Sequence, residues 1–104
     1  IEHCDFIKID IEGAEFFFIK GGYSFIEKFR PVIYGEFNPF FMEKFNCSFL
    51  DAWNLLEPLN YACFAQKGYS SYFEAISPRI GLGNVLLIPE GYDKRKLLKV
   101  GLIR

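Results

Sequence analysis

The chain has 104 residues and a formal net charge of −1, enough for one domain and too few for two. Apolar residues make up 51% and aromatic residues 19%, with thirteen Phe and six Tyr; such a composition excludes a disordered chain and supplies a packed core. The near-neutral charge provides no field to draw nucleic acid or anionic lipid, and there is no run of about 18 apolar residues to span a membrane, so neither is expected as a partner.

Residues 5–11, Asp-Phe-Ile-Lys-Ile-Asp-Ile, place Phe6, Ile7, Ile9 and Ile11 in a mostly buried strand. Glu12-Gly13 breaks it. Residues 14–20 read as a helix, ended by Gly21-Gly22 in the manner of a C-terminal glycine. Residues 23–29 add a helical turn or two, with Phe25, Ile26 and Phe29 on one face. In the run Phe16-Phe17-Phe18-Ile19 the four side chains cannot share one helix face, so at least one Phe is expected to face outward. Pro31 precedes a second strand over 32–37, rich in β-branched and aromatic residues, and Asn38-Pro39 ends it.

Ser48 is the N-cap of a helix over 49–57. Asp51 sits at its third position, where a carboxylate meets the positive end of the helix dipole, and Pro58 closes it. A third strand follows over 61–66. Residues 67–82 read as a long loop with one helical turn near 72–75, and loops of that length are often functional. A fourth strand covers 84–89, and 92–104 forms a tail of weak helix or strand tendency.

Strands separated by helices imply an α/β fold with parallel pairing and right-handed crossovers. The last two strands have no helix between them, so an antiparallel hairpin is expected there. A parallel sheet needs cover on both faces, and two or three helices barely provide it for four strands.

The densest constellation of chemistry-bearing groups is Asp10-Ile11-Glu12-Gly13-Ala14-Glu15, at the carboxyl end of the first strand, where ligands bind in open α/β sheets. Asp10 points opposite to Ile9 and Ile11. A carboxylate there can accept a substrate proton, bind an ammonium or help hold a metal. The plainer reading is that Glu12 and Glu15 only flank a helix N-terminus. Glu36 and Asn38 end the second strand and share a face. With Asp10 they form a hard-oxygen set of the type that holds Mg²⁺ or Ca²⁺. Their plainer reading is a hydrogen-bonded Glu and a capping Asn, and no metal site is predicted.

His3, the single histidine, precedes the first strand and reads as a surface residue, which argues against His-based nucleophilic chemistry. Cys4, Cys47 and Cys63 have no zinc or redox spacing and read as reduced thiols, in keeping with a cytoplasmic setting. Gly81-Leu82-Gly83-Asn84 precedes a strand rather than a helix, so it is a turn and not a dinucleotide loop. Lys94, Arg95, Lys96, Lys99 and Arg104 read as a solvated face of the tail.

Residues 6–15, Phe-Ile-Lys-Ile-Asp-Ile-Glu-Gly-Ala-Glu, then Ile19-Lys20-Gly21, Arg30-Pro31-Val32-Ile33 and Glu36, resemble the FkbM-type methyltransferase domain. The pattern of that family is a strand ending in I-K-I-D, then Val or Ile, then E-G-x-E, a helix ending in L-x-G, and R-P before a strand ending in Glu. The resemblance covers residues 5–38 well and the remainder weakly. It implies the C-terminal half of a doubly wound, Rossmann-like class I methyltransferase sheet, strands four to seven, with parallel strands and a final antiparallel one. It further implies S-adenosylmethionine as cofactor, Asp10 beside the transferring methyl group, and Glu12, Glu15 and Glu36 lining the acceptor pocket, with Asn38 on the same rim. The acceptor implied is a small molecule, a hydroxyl of a sugar or natural product. The chain starts at Ile1 without an initiator Met, as a partial chain would, and the glycine-rich cofactor turn of the family is not found in it. Residues 1–104 are therefore expected to be a partial domain that binds S-adenosylmethionine weakly or not at all by itself. The alternative is a non-catalytic half-domain acting as a folding or self-association module, with a homodimer formed through the edge of residues 5–11. A phosphodiesterase fragment is a weaker third reading, since K-I-D triplets occur there too.

Overall fold

The computed structural model describes residues 2–66, 72–77 and 83–103. In chain order they form β1 (Phe6–Ile9), α1 (Glu15–Gly21), α2 (Tyr23–Phe29), β2 (Val32–Glu36), α3 (Pro39–Glu43), α4 (Phe49–Leu56), a 3₁₀ turn (Glu57–Leu59), β3 (Tyr61–Gln66), β4 (Phe73–Ala75), β5 (Asn84–Pro89) and α5 (Arg95–Lys99). The strands make one mixed sheet in the order β1-β2-β5-β3-β4. β1 and β2 are parallel, Phe6 opposite Val32 and Ile9 opposite Gly35. β5 runs antiparallel to both β2 and β3. The expected antiparallel pairing of the last two predicted strands is present, but β5 is also wedged against β2. Its sequence suits a central position: Val85, Leu86, Leu87 and Ile88 are all 0% exposed. Removing four such side chains from water contributes roughly 1.5–3 kcal/mol each.

Period-two alternation divides the core between two faces. Ile9, Ile33, Val85, Leu87, Tyr61 and Cys63 face α1, α2, α3 and α4, which contribute Ile19, Ile26, Met42, Phe49, Ala52, Trp53 and Leu56. The opposite face carries Val32, Phe64, Leu86 and Ile88, packed against Phe73, Leu97 and Ile103. Among the described residues, α5 is the one helix on that second face. Cover is therefore lopsided, and at the β1 edge Phe6 is 48% exposed.

Several expectations are corrected. The first strand is not mostly buried: among its apolar residues only Ile9 is fully inside, because β1 lies at the sheet edge, and Ile11 is 44% exposed in the turn that follows. Gly22 does not end α1 in a left-handed conformation, having φ −97°, and α2 follows at once. The left-handed cap belongs to Arg30, at φ 49°. The helical turn expected near 72–75 is the strand β4, paired antiparallel with β3 from Phe64–Ala75 to Gln66–Phe73. The rest of that loop, 67–71 and 78–82, lies outside the described residues, as do Gly81 and Leu82 of the expected turn and Arg104 of the basic tail. α3 was not anticipated, yet Asn38-Pro39 is a start signal for a helix as well as a stop for a strand. Phe17 and Phe18 both face outward, 47% and 44% exposed. Ser48 and Asp51 begin α4 as expected, the Ser48 N–H donating to Asp51 Oδ2 at 2.8 Å. In the tail, Ile103 bridges to Phe73 at the edge of the sheet opposite β1.

The Arg30-Pro31 pair anchors the amino end of the sheet. Arg30 Nη1 donates to the Leu59 carbonyl at 2.6 Å and Nη2 to the Glu90 carbonyl at 3.4 Å. Its guanidinium lies 5.7 Å from the Tyr61 ring centroid. The Tyr61 hydroxyl donates to the Pro31 carbonyl at 2.7 Å, and burial pushes its pKa up to about 12. One side chain thus ties α2 to the turns before β3 and after β5. Arg30→Ala is expected to cost about 1.5–3 kcal/mol, the range for hydrogen bonds to a charged donor, read as a lower urea midpoint at unchanged slope. Arg30→Lys recovers only part, because an ammonium lacks the planar fork that reaches both carbonyls.

Candidate functional site

Because β1 and β2 are parallel and in register, their carboxyl ends lie side by side. Asp10 follows Ile9, and Glu36 follows Gly35, the partner of Ile9. Glu36 in turn stands opposite Asn84 at the start of β5. Lys8, Ile9, Asp10, Tyr34, Glu36 and Asn84 line a cleft of 130 Å³. Asp10 and Glu36 are exposed within it. Alternation places Lys8 and Tyr34 on the same face as those two carboxylates. Lys8, Tyr34 and Asn84 were not singled out from the sequence. The first two were legible from spacing alone, each lying two residues before a rim carboxylate. Asn84 needed the unanticipated contact of β5 with β2, and its Nδ2 donates to Gln66 Oε1 at 3.2 Å.

The turn after β1 is built for the close approach of α3. Glu12 has φ 49° and Gly13 φ 105°, two successive residues in the left-handed region that L side chains rarely occupy. A Cβ on Gly13 would stand 2.4 Å from the Phe41 carbonyl oxygen. Glu15 is 0% exposed. Its Oε2 accepts the Ile11 N–H at 3.0 Å and its Oε1 accepts the Gly13 N–H at 2.9 Å. Glu15, expected in the acceptor pocket, therefore faces the turn backbone, and it does not line the cleft. Glu12 is exposed in the turn and is not among the cleft-lining residues either. Asn38 N-caps α3, its Oδ1 accepting the Phe40 N–H at 2.9 Å. The structure thus brings together Asp10 and Glu36 and leaves Glu12, Glu15 and Asn38 outside the cleft.

Among the described residues, two larger depressions lie elsewhere. One of 470 Å³ is lined by residues of the α3–α4 junction, including Cys47, Ser48 and Asp51. The Asp51 carboxylate there is taken up in capping α4, and the Cys47 thiol is pushed up by burial and then by the charges of Asp51 and Glu15. The other, of 430 Å³, lies at the amino end of β3 beside Tyr61 and Glu90, the end of the sheet opposite the rim at which α/β folds bind ligands. Burial raises the Cys63 thiol to about 12, far from the thiolate character that reactive cysteines need. His3 is exposed, 3.6 Å from Asp5. Among the described residues, no group of three or more His, Cys, Asp or Glu side chains could hold a metal ion, and no helix is long and apolar enough to cross a membrane.

The fold and its rim describe a mixed α/β domain that presents two carboxylates at the ends of adjacent parallel strands. The model of the methyltransferase FkbM domain matches residues 1–74, from β1 into β4, and the chain belongs to that family. No curated protein and no solved structure gives a significant match.

Proposed function

We propose that this domain, within a longer protein, transfers a methyl group from S-adenosylmethionine to a hydroxyl of a sugar or natural product. The observation that carries the reading is the meeting of Asp10 and Glu36 in one polar cleft at the carboxyl ends of β1 and β2. Two carboxylates in that position fit a cationic sulfonium on one side and a hydroxyl-rich acceptor on the other. The topology supports the further proposal of a Rossmann-like, class I half-sheet: β1, β2 and β3 run in one direction, with β5 reversed between β2 and β3.

When bound, S-adenosylmethionine supplies an activated methyl group on sulfur. Asp10 would lie beside that methyl group and complement its positive charge. An acceptor hydroxyl must lose its proton as the new C–O bond forms, and Asp10 or Glu36 is placed to take it. Lys8, Tyr34 and Asn84 offer donors to the remaining oxygens of the acceptor. In such an in-line displacement, holding the two reactants in place supplies much of the rate.

The test is transfer of isotopically labelled methyl from S-adenosylmethionine by the complete protein, against panels of hydroxyl, amine and thiol acceptors. An O-methyl ether is the expected product. Exclusive N- or S-methylation overturns the acceptor class. No transfer to any panel overturns the enzymatic reading and leaves the other one, a module that associates through the exposed β1 edge.

A further inference from the structure

The buried glutamate of the turn has no place in that chemistry as a contact for substrate, yet it is the one charged residue fully enclosed among the described residues. Its two oxygens accept two N–H groups, one from Ile11 and one from Gly13. The Ile11 nitrogen belongs to the peptide unit that follows Asp10. Fixing that plane fixes the ψ of Asp10, and with it the direction from which the Asp10 side chain enters the cleft. The Gly13 nitrogen likewise fixes the peptide plane that follows Glu12. The turn holds Glu12 in the left-handed region at φ 49°, a conformation that for a non-glycine residue persists only where surrounding structure over-determines it. Without Glu15 the buried Gly13 N–H would lack an acceptor, a cost of about 1–3 kcal/mol, and the part-buried Ile11 N–H would lose the partner that fixes its plane.

We infer that Glu15 is a positioning residue that sets the Asp10 carboxylate in the cleft by clamping the backbone on both sides of the Ile11–Glu12 segment. The inference rests on the proposed methyl transfer with Asp10 at its centre. It accounts for two positions of the E-G-x-E segment at once: Gly13 provides a backbone N–H that Glu15 holds.

The experiment is steady-state kinetics on the complete protein with Glu15→Gln, Glu15→Asp and Asp10→Asn, each assayed well below its own melting temperature. Glu15→Gln keeps the shape but presents an NH₂ to one of the two N–H groups. It is expected to lower kcat about 10–100-fold, the effect of displacing a reacting group by around 1 Å, with KM for S-adenosylmethionine and acceptor within about twofold of the parent. Glu15→Asp keeps two acceptor oxygens on a shorter stem, holds one N–H, and is expected to fall between the two in kcat. If Asp10→Asn is inactive while folded Glu15→Gln, or Glu15→Asp where the former does not fold, turns over at the parent rate, the positioning role is wrong. A rise in KM matching the loss in kcat/KM makes Glu15 a binding group and also overturns it. Parent-level activity of Asp10→Asn instead removes the reading on which the inference rests, and the two failures are thereby told apart.

Discussion

Asp10→Asn in the complete protein is expected to lower kcat about 10²–10⁴-fold, the usual contribution of a general base, while the melting temperature moves by no more than about 2–4 °C. The two halves of that expectation have separate physical grounds. Asp10 lies past the end of β1, is exposed, and contributes nothing to either core cluster. Surface substitutions of that kind change stability by about 0.5 kcal/mol or less, which sets the small thermal shift for a domain of this size. The chemistry is different. The amide is nearly isosteric with the carboxylate but neither takes a proton at neutral pH nor complements a sulfonium. Glu36→Gln, one strand away in the same cleft, separates the roles. If Asp10 is the base, Glu36→Gln chiefly raises KM for the acceptor; if Glu36 is the base, the larger loss of kcat moves to it. Kinetics and thermal melts on the same preparations decide the matter. Full turnover in a folded Asp10→Asn protein removes Asp10 from the mechanism.

Gly13→Ala is expected to destabilise the fold by about 3–5 kcal/mol, a large share of the roughly 5–15 kcal/mol that holds a domain together. Two costs add. At φ 105° an L side chain is strained, which costs of order 1–3 kcal/mol. The new Cβ would also stand 2.4 Å from the Phe41 carbonyl oxygen and 2.6 Å from its carbon. Those are backbone atoms of α3 and cannot rotate aside, so the turn and the helix must part, and overpacking of that kind costs about 1–3 kcal/mol more. The contrast is Gly101, whose φ is 78° with nothing within 4 Å of a built Cβ. Gly101→Ala carries the strain without the clash and is expected to lower the urea midpoint far less. Equal losses for the two variants would mean that strain alone matters and that the contact with α3 is not tight.

The local pattern was sufficient for β1, β2, α4, β3 and β5, because each is a short apolar run or amphipathic stretch with Gly, Pro, Asn or Ser within a few residues of an end. The Ser48–Asp51 start of α4 was legible for the same reason, since both partners lie within one turn. The motif residues Asp10 to Glu15 stood out as a unit, but their division of labour did not. Three carboxylates in six positions look alike in a sequence. Glu15 differs from Asp10 only because the chain doubles back at Gly13 and turns its side chain inward onto the Ile11 and Gly13 amides. Asn38 was read as a rim ligand or a cap, and the following Pro39 makes it a cap.

What the sequence by itself determined is the α/β class, the parallel pairing of the first two strands, the presence of an acidic turn at their carboxyl ends, and the family. All of these follow from period, punctuation and residue type within a few tens of positions. Only the tertiary structure decided that β5 lies between β2 and β3, that β4 extends the sheet, and that β1 forms its edge. Strand order depends on burial summed over both faces of every strand, and the fully apolar 85–88 segment is stable only where neighbours flank it on both sides. That placement brings Asn84 to Glu36 and closes the cleft around Asp10. A linear pattern carries no distance between residues 10, 36 and 84, so their meeting is a property of the packed sheet alone.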